Sequence, residues 1–177
     1  MDDYLVESAN KWMNETLDNI IAYHGTNNRN IKRFVVPLGD GKDGMLWFTD
    51  ESNYAYRQGD TVYKVKLTPQ KILSHESLSQ VPMDEIKEAI YSVVEKDREP
   101  ITDESFFEKN LLSHVKERIK DFITGDIPVE RIFGGMGGMD IIKELGFDMQ
   151  IINNPYDKTG SSKFYLVFKD DIIQIEN

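Results

Sequence analysis

Cysteine is absent from this chain, which excludes a disulfide framework and any thiolate metal site. Histidine is scarce: His24, His75 and His114 are the only three. Scattered as they are and with no thiolate beside them, they offer no metal-ligand spacing, so no metal is expected. Basic charge is the minority sign, with 21 Lys and Arg against 31 Asp and Glu and a formal net charge of −10. Nucleic acid, whose phosphates need a basic face, is therefore disfavoured as a partner. An acidic surface suits a basic protein partner, or does no more than keep the chain soluble. No apolar run approaches the roughly 18 residues of a membrane span. The opening MDDYLVESANKW has neither a basic n-region nor an apolar h-region, so no membrane and a cytosolic place are expected. What the chain does have is a globular composition: 177 residues, 40% hydrophobic and 11% aromatic, enough for one domain with a sizeable core.

Apolar spacing divides the chain into elements. Leu5, Ala9, Trp12, Met13, Leu17 and Ile20 recur at helical intervals, predicting an amphipathic helix over Asp2 to Asn19 with Trp12 as a core anchor or a partner-binding face. Ile20 to Tyr23 reads as a buried strand delivering His24-Gly25-Thr26 at its end. Asn27 or Asn28 caps one or two turns carrying Ile31 and Phe34 inward, and Gly39 to Gly44 is a flexible loop without the Gly-Lys-Ser/Thr ending of a phosphate loop. Met45 to Phe48 is a second strand. A short helix over Asp50 to Tyr56 follows, capped by Thr49 or Asp50, and Thr61 to Leu67 alternates as a third strand. Ile72 to Ser79 reads as irregular. Helices are predicted from Pro82 through Val94 and from Thr102 to Ile123, with His114 and His75 structural or superficial. After a strand-like Ile127 to Ile132 and a glycine-rich Gly134 to Gly138, a short helix from Met139 to Leu145 stops at Gly146. Strands at Phe147 to Ile152, Phe164 to Phe168 and Ile172 to Ile175 close the chain, the last two joined tightly at Lys169-Asp170-Asp171. Strands at both ends and helices between predict an α+β domain with a mostly antiparallel sheet.

The stretch from Ile21 to Leu67 concentrates the chemistry. A His at a strand end, a Gly with no side chain to block an approach, and several aromatic faces suggest a pocket for a flat, polar ligand. The ordered set Tyr23-His24-Gly25-Thr26, Trp47-Phe48-Thr49-Asp50 with tyrosines soon after, and Val62-Tyr63-Lys64-Val65-Lys66-Leu67 resembles the NAD-dependent ADP-ribosyltransferases of the diphtheria-toxin and poly(ADP-ribose) polymerase type, which carry a His-Tyr-Glu signature on three separated strands. Leu145-Gly146-Phe147-Asp148 followed by Phe164 to Phe168 and Ile172 to Ile175 is similar to the closing part of small phage and mobile-element members. The resemblance covers roughly residues 20–67 and 127–177 and implies one domain over 1–177, with a split antiparallel sheet, an N-terminal helix and a helical insertion at 82–124.

What the resemblance implies for the site follows residue by residue. His24 would bond an NAD ribose hydroxyl, the Gly25 backbone would bind the carboxamide, and Thr26 completes that strand end. Trp47 stands where the family has Tyr, keeping the π-face but not the phenolic hydroxyl, and Tyr54 or Tyr56 would be the second, stacking aromatic. Trp47 and the tyrosines also fit a core and a helix surface. The catalytic Glu is missing: its position is Phe164, after Lys163, and Asp157 in the preceding turn is the leading substitute, with Glu130 and Glu176 behind it. The function implied is a mono-ADP-ribosyltransferase, phage, mobile-element or effector encoded, that uses NAD to modify a protein target and releases nicotinamide through an oxocarbenium-like transition state. The alternatives are an inactive NAD- or ADP-ribose-binding member acting as a binding or inhibitory module, and an NAD glycohydrolase.

Overall fold

Ile20-Ile21-Ala22-Tyr23 is β-branched and aromatic, a composition that favours the extended chain, and the strand it starts runs on through the chemically distinctive residues. In the computed structural model, which describes residues 19–36, 44–97, 117–118, 138–154 and 156–176, this is β1 (Ile20–Thr26). The strands β2 (Leu46–Thr49), β3 (Thr61–Leu67), β4 (Ile72–Leu73), β5 (Met149–Asn153), β6 (Lys163–Val167) and β7 (Ile173–Ile175) follow, with helices α1 (Ser52–Ala55), α2 (His75–Ser79), α3 (Met83–Asp97) and α4 (Gly138–Glu144). The fold is α+β. The N-terminal helix, most of the segment 102–123, the strand-like 127–132 and Glu130 lie outside the described residues.

The chain forms two compact units: Met1–Val36, Leu46–Gln70 and Asp148–Asn177 in the first, Pro37–Met45 and Lys71–Phe147 in the second. The second thus reaches beyond the expected insertion at 82–124. Its described part is mainly helical. Ile86, Ala89, Ile90 and Val93 bury one stripe of α3, and Met139, Ile141 and Ile142 do the same on α4. Ser92 Oγ donates to Glu144 Oε1 at 3.0 Å between these two helices. Helix α4 stops before Gly146, whose φ of +85° ends the helical path.

The first unit is the sheet, in the order β5-β6-β2-β1-β3-β7. Its pairings are antiparallel. Ala22, Val65, Leu67, Phe48, Val167 and Phe168, all 2% exposed or less, form its core. The ladders are uneven in a way that matters. β1 meets β3 along its whole length, from Ile20↔Leu67 to Thr26↔Thr61, and β2 meets β6 from Leu46↔Val167 to Thr49↔Phe164. Between β1 and β2 there is one register pair, Tyr23↔Thr49. The sheet is nearly divided there into β5-β6-β2 and β1-β3-β7.

The tight β6–β7 link is found as expected but joins strands far apart in the sheet, and three expectations are corrected. Strands β6 and β7 follow closely in sequence but are not a hairpin: β2, β1 and β3 stand between them. Four strand spacings across a flat sheet come to about 19 Å, near the limit of so short a link. Part of that link is a tight 3₁₀ turn at Asp170–Ile172, so the sheet has to curl. Residues 27–36 form no helical turn; Asn27 and Asn28 bond loop amides instead, Asn27 Oδ1 accepting from Asp60 N and Asn28 Oδ1 from Asn30 N, both at 3.1 Å. Thr49 and Asp50 do not cap α1, whose first flanking residue is Glu51 with no side-chain cap. The passage from Ile72 to Ser79 is ordered as β4 and α2, with Ser74 and Ser77 bonding each other's backbone amides.

Candidate functional site

Where β1 and β2 part, a cleft of about 450 Å³ opens in the first unit. The residue after the last shared pair, His24, turns its ring across the gap. Its Nδ1 lies 2.8 Å from the Trp47 carbonyl oxygen, which can only accept, so Nδ1 carries the proton and Nε2 of the neutral ring is left as an acceptor. The ring packs against Phe34 at 5.0 Å, edge to face, and Phe48 at 5.3 Å. A hydrogen bond on one side and two aromatic contacts fix its orientation. The cross-strand bond that a continued β1–β2 ladder would make is replaced by a side chain, and the splayed backbones leave the space.

Each wall comes from a different element. β1 supplies Tyr23, His24 and Gly25, and β2 supplies Trp47, Phe48 and Thr49. Tyr54, Ala55 and Gln58 come from α1 and the turn after it, Tyr156 from the loop after β5, and Phe164 from β6. Helix α1 seats on β1 because Gly25 has no side chain: a Cβ there would stand 1.7 Å from the Ala55 carbonyl oxygen. Asp50 ties β2 to β6, since Lys163 N donates to Asp50 Oδ1 at 2.9 Å while Asp50 N donates to the Lys163 oxygen at 3.3 Å. Buried Tyr165, the next residue on β6 after Phe164, has its phenol pushed up to about 12 by burial, with a smaller push from the Asp50 charge.

The aromatic character is strong. Phe164 packs at 5.1 Å from the Tyr54 ring and 5.8 Å from Trp47, and Tyr54 and Tyr156 lie nearly parallel, 16° apart with centroids 6.3 Å apart. Trp47 is 46% exposed and Tyr156 74%. Among the described residues that line the cleft there is no Asp, Glu, Lys or Arg. The polar side-chain groups available are the His24 ring, the Trp47 indole N–H, the Thr49 hydroxyl, the Gln58 amide and the tyrosine hydroxyls, with the backbone at Gly25 beside them.

Of the residues picked from the sequence, His24, Gly25, Trp47 and Tyr54 come together in this cleft, and Phe164 lines it as well. Thr26, Tyr56, Asp157 and Glu176 are not among the lining residues. The Thr26 hydroxyl accepts from Asn28 N at 3.2 Å, and Tyr56 is 62% exposed. Glu176 pairs with Lys64 Nζ at 2.7 Å across β3 and β7, a bond that raises the lysine's pKa. Asp157 is occupied by its own turn. Its Oδ1 accepts from Thr159 N at 2.9 Å and from the Thr159 hydroxyl at 2.7 Å. Oδ2 accepts from Ser162 N at 2.8 Å and the Ser161 hydroxyl at 3.1 Å. These bonds, the Thr159 hydroxyl foremost, hold its carboxyl well below the usual range. Sequence reasoning misses Gln58 and Tyr156. A tyrosine inside an otherwise polar turn of Asn, Asp, Thr, Gly and Ser is the available signal for the second.

No family model and no curated protein matches the chain. A solved structure titled "Crystal structure of an anti-CRISPR protein" is similar to it at 12% identity and a TM-score of 0.49, over 89% of this chain and 94% of that one.

Proposed function

We propose that the cleft binds the nicotinamide-ribose half of NAD and that the protein is an NAD-dependent mono-ADP-ribosyltransferase acting on a protein target. One arrangement supports this reading: His24, oriented through the Trp47 carbonyl, lines one cleft with Gly25, Trp47 and Tyr54. With Nδ1 committed to the Trp47 carbonyl, Nε2 of the His24 ring, when it carries no proton, offers an acceptor to a ribose hydroxyl. Aromatic walls without a basic side chain suit a ring that carries positive charge, as the nicotinamide of NAD does. Breaking the bond from nicotinamide to ribose develops positive charge on the sugar, and fixing both halves of the ligand supplies the orientation that lowers that barrier.

A second reading has its own observation. No carboxylate among the described residues lines the cleft, and Asp157, the acid adjacent to lining Tyr156, has both oxygens engaged in its turn. That favours binding of NAD or ADP-ribose without transfer. Incubating the protein with labelled NAD and cell lysate separates the readings: label on a protein with nicotinamide release means transfer, and free ADP-ribose as the sole product means hydrolysis. Calorimetric binding with neither product means a binding module. His24→Ala is expected to lower NAD affinity or turnover at least tenfold, the value of one charge-free hydrogen bond plus lost ring packing being about 1.5 kcal/mol; a fully active variant would remove His24 from the site.

A further inference from the structure

We infer that Tyr156 is a ligand-binding residue, the outer aromatic wall of the cleft, and that Asp157 is its positioning residue, acting through the turn that presents it. The inference rests on the reading of the cleft as an NAD site and adds to it the role of the loop between β5 and β6.

The loop is anchored by buried Asn154 and Ser162 and tied together by its own hydrogen bonds. Asn154, 3% exposed, accepts from Tyr156 N at 2.9 Å through Oδ1 and donates through Nδ2 to the Ser162 hydroxyl at 2.8 Å. Its own amide donates to the Ser162 carbonyl at 3.0 Å, closing the base of the loop. Above that base the Asp157 carboxylate gathers Thr159, Ser161 and Ser162, and Gly160 N donates to the Asp157 carbonyl at 3.1 Å. These bonds tie the described residues of the segment to one another, and a loop with such internal ties costs little further entropy to hold. What this rigid segment presents is a phenol ring left 74% exposed, lining the cleft and lying parallel to Tyr54.

A large aromatic face held out on a rigid support gains by being covered. The flat ring of a bound ligand, seated among Trp47, Tyr54 and Phe164, supplies that cover at the cleft mouth, and stacking of this kind depends on the ring rather than on the hydroxyl. Asp157 then acts on the ligand only through Tyr156. This differs from a catalytic acid, which would touch the ribose itself and govern turnover rather than affinity.

The test is calorimetric titration of NAD into the full chain and its variants, each first checked for folding by circular dichroism. Tyr156→Ala is expected to weaken NAD binding roughly tenfold and Tyr156→Phe to leave it within about twofold, because the ring alone does the work. Asp157→Asn replaces one acceptor oxygen by a donor facing amides and hydroxyls, loosening the turn, and is expected to weaken binding as well. In the Tyr156→Ala background the same Asp157→Asn change is expected to add nothing, since there is no ring left to position. Equal losses from Asp157→Asn in both backgrounds would overturn the positioning role. So would a fall in nicotinamide release with unchanged affinity, the signature of a catalytic acid. Wild-type affinity in Tyr156→Ala would overturn the role of Tyr156 while leaving the NAD reading intact. An absence of NAD binding by the wild type would sink the NAD reading and this inference together, so the two failures are distinguishable.

Discussion

Gly25 reads in the sequence as a point of close approach by a ligand, since a missing Cβ frees the backbone. The structure gives the same absence a second use, because the Ala55 carbonyl oxygen occupies the space a Cβ would need, at 1.7 Å. The obstacle is backbone on both sides, so no flexible side chain can give way. Gly25→Ala must push α1 off β1 and carry Tyr54 with it, and is expected to destabilise the protein by about 3 kcal/mol and to abolish the proposed NAD binding. Gly160 is the control. It has a φ of +68°, and a methyl added there would meet nothing within 4 Å, so Gly160→Ala meets only backbone strain of about 1 kcal/mol. Urea denaturation of the two variants checks the contrast, and equal stabilities would show that α1 yields without cost. His24 carries a similar lesson. Its type and its place close to the end of β1 were legible, though the strand does not stop at Tyr23 but runs on through His24, paired with Tyr63, to Thr26; the bond to the Trp47 carbonyl was not, because it depends on how two strands diverge.

At the scale of elements, the Asp157 turn has a defined pH response. Its carboxyl is held below the ordinary value, first by the Thr159 hydroxyl and then by the Ser162 and Thr159 amides. A depressed acid contributes stability in full above its unfolded pKa, near 3.9, and loses it as the pH falls through the folded one. The turn should therefore be unchanged from neutral pH down to about pH 4 and loosen only below that. The amide resonances of Thr159 and Ser162 followed by NMR report this directly; a transition centred at the ordinary value would mean that the carboxylate is free of its turn. Elements with local signals were legible in the sequence: β1, β2, α1, β3 and α3 all follow from apolar spacing close to where it predicts them. Helix α2 was not, since its reciprocal cap uses Ser77 where the familiar pattern has Glu or Gln. The β6–β7 connection was legible in its shortness but not in which strands it brings together. A short link suggests a hairpin, but pairing across a curled sheet is decided by distant strands. The same distance hid Tyr156, which joins the cleft only because β6 pairs with β2 and brings the preceding loop to the splay.

For the molecule as a whole, the surplus of acid is the property that no single element reveals. With 21 basic and 31 acidic residues the formal net charge is 21 − 31 = −10, and self-repulsion of that sign works against the folded state. Besides Lys169–Asp148 at 3.1 Å, whose carboxylate side chain is only 6% accessible, two ion pairs among the described residues of the first unit are exposed: Arg33–Asp170 at 3.1 Å with side chains 70% and 30% accessible, and Lys64–Glu176 at 2.7 Å with 50% and 32%. Pairs of that kind contribute roughly 0–1 kcal/mol each and are screened by the same salt that screens the repulsion. The long-range term should win, because it sums over the whole surface while each pair acts only locally. Raising sodium chloride from a few millimolar to about 0.15 M, where the screening length shrinks to roughly 8 Å, is expected to raise the melting temperature by a few degrees, equivalent to about 1 kcal/mol for a chain of this size. Chloride is the suitable salt, since sulfate would also strengthen apolar burial and confuse the cause. A melting temperature that fell on adding sodium chloride would mean that local ion pairs, not net charge, dominate the electrostatics of the fold. The same experiment with NAD present bears on the cleft, because its lining carries no charged side chain among the described residues: NAD affinity governed by aromatic contact and neutral hydrogen bonds should change little over that range, whereas a steep loss would place a basic group against the phosphates.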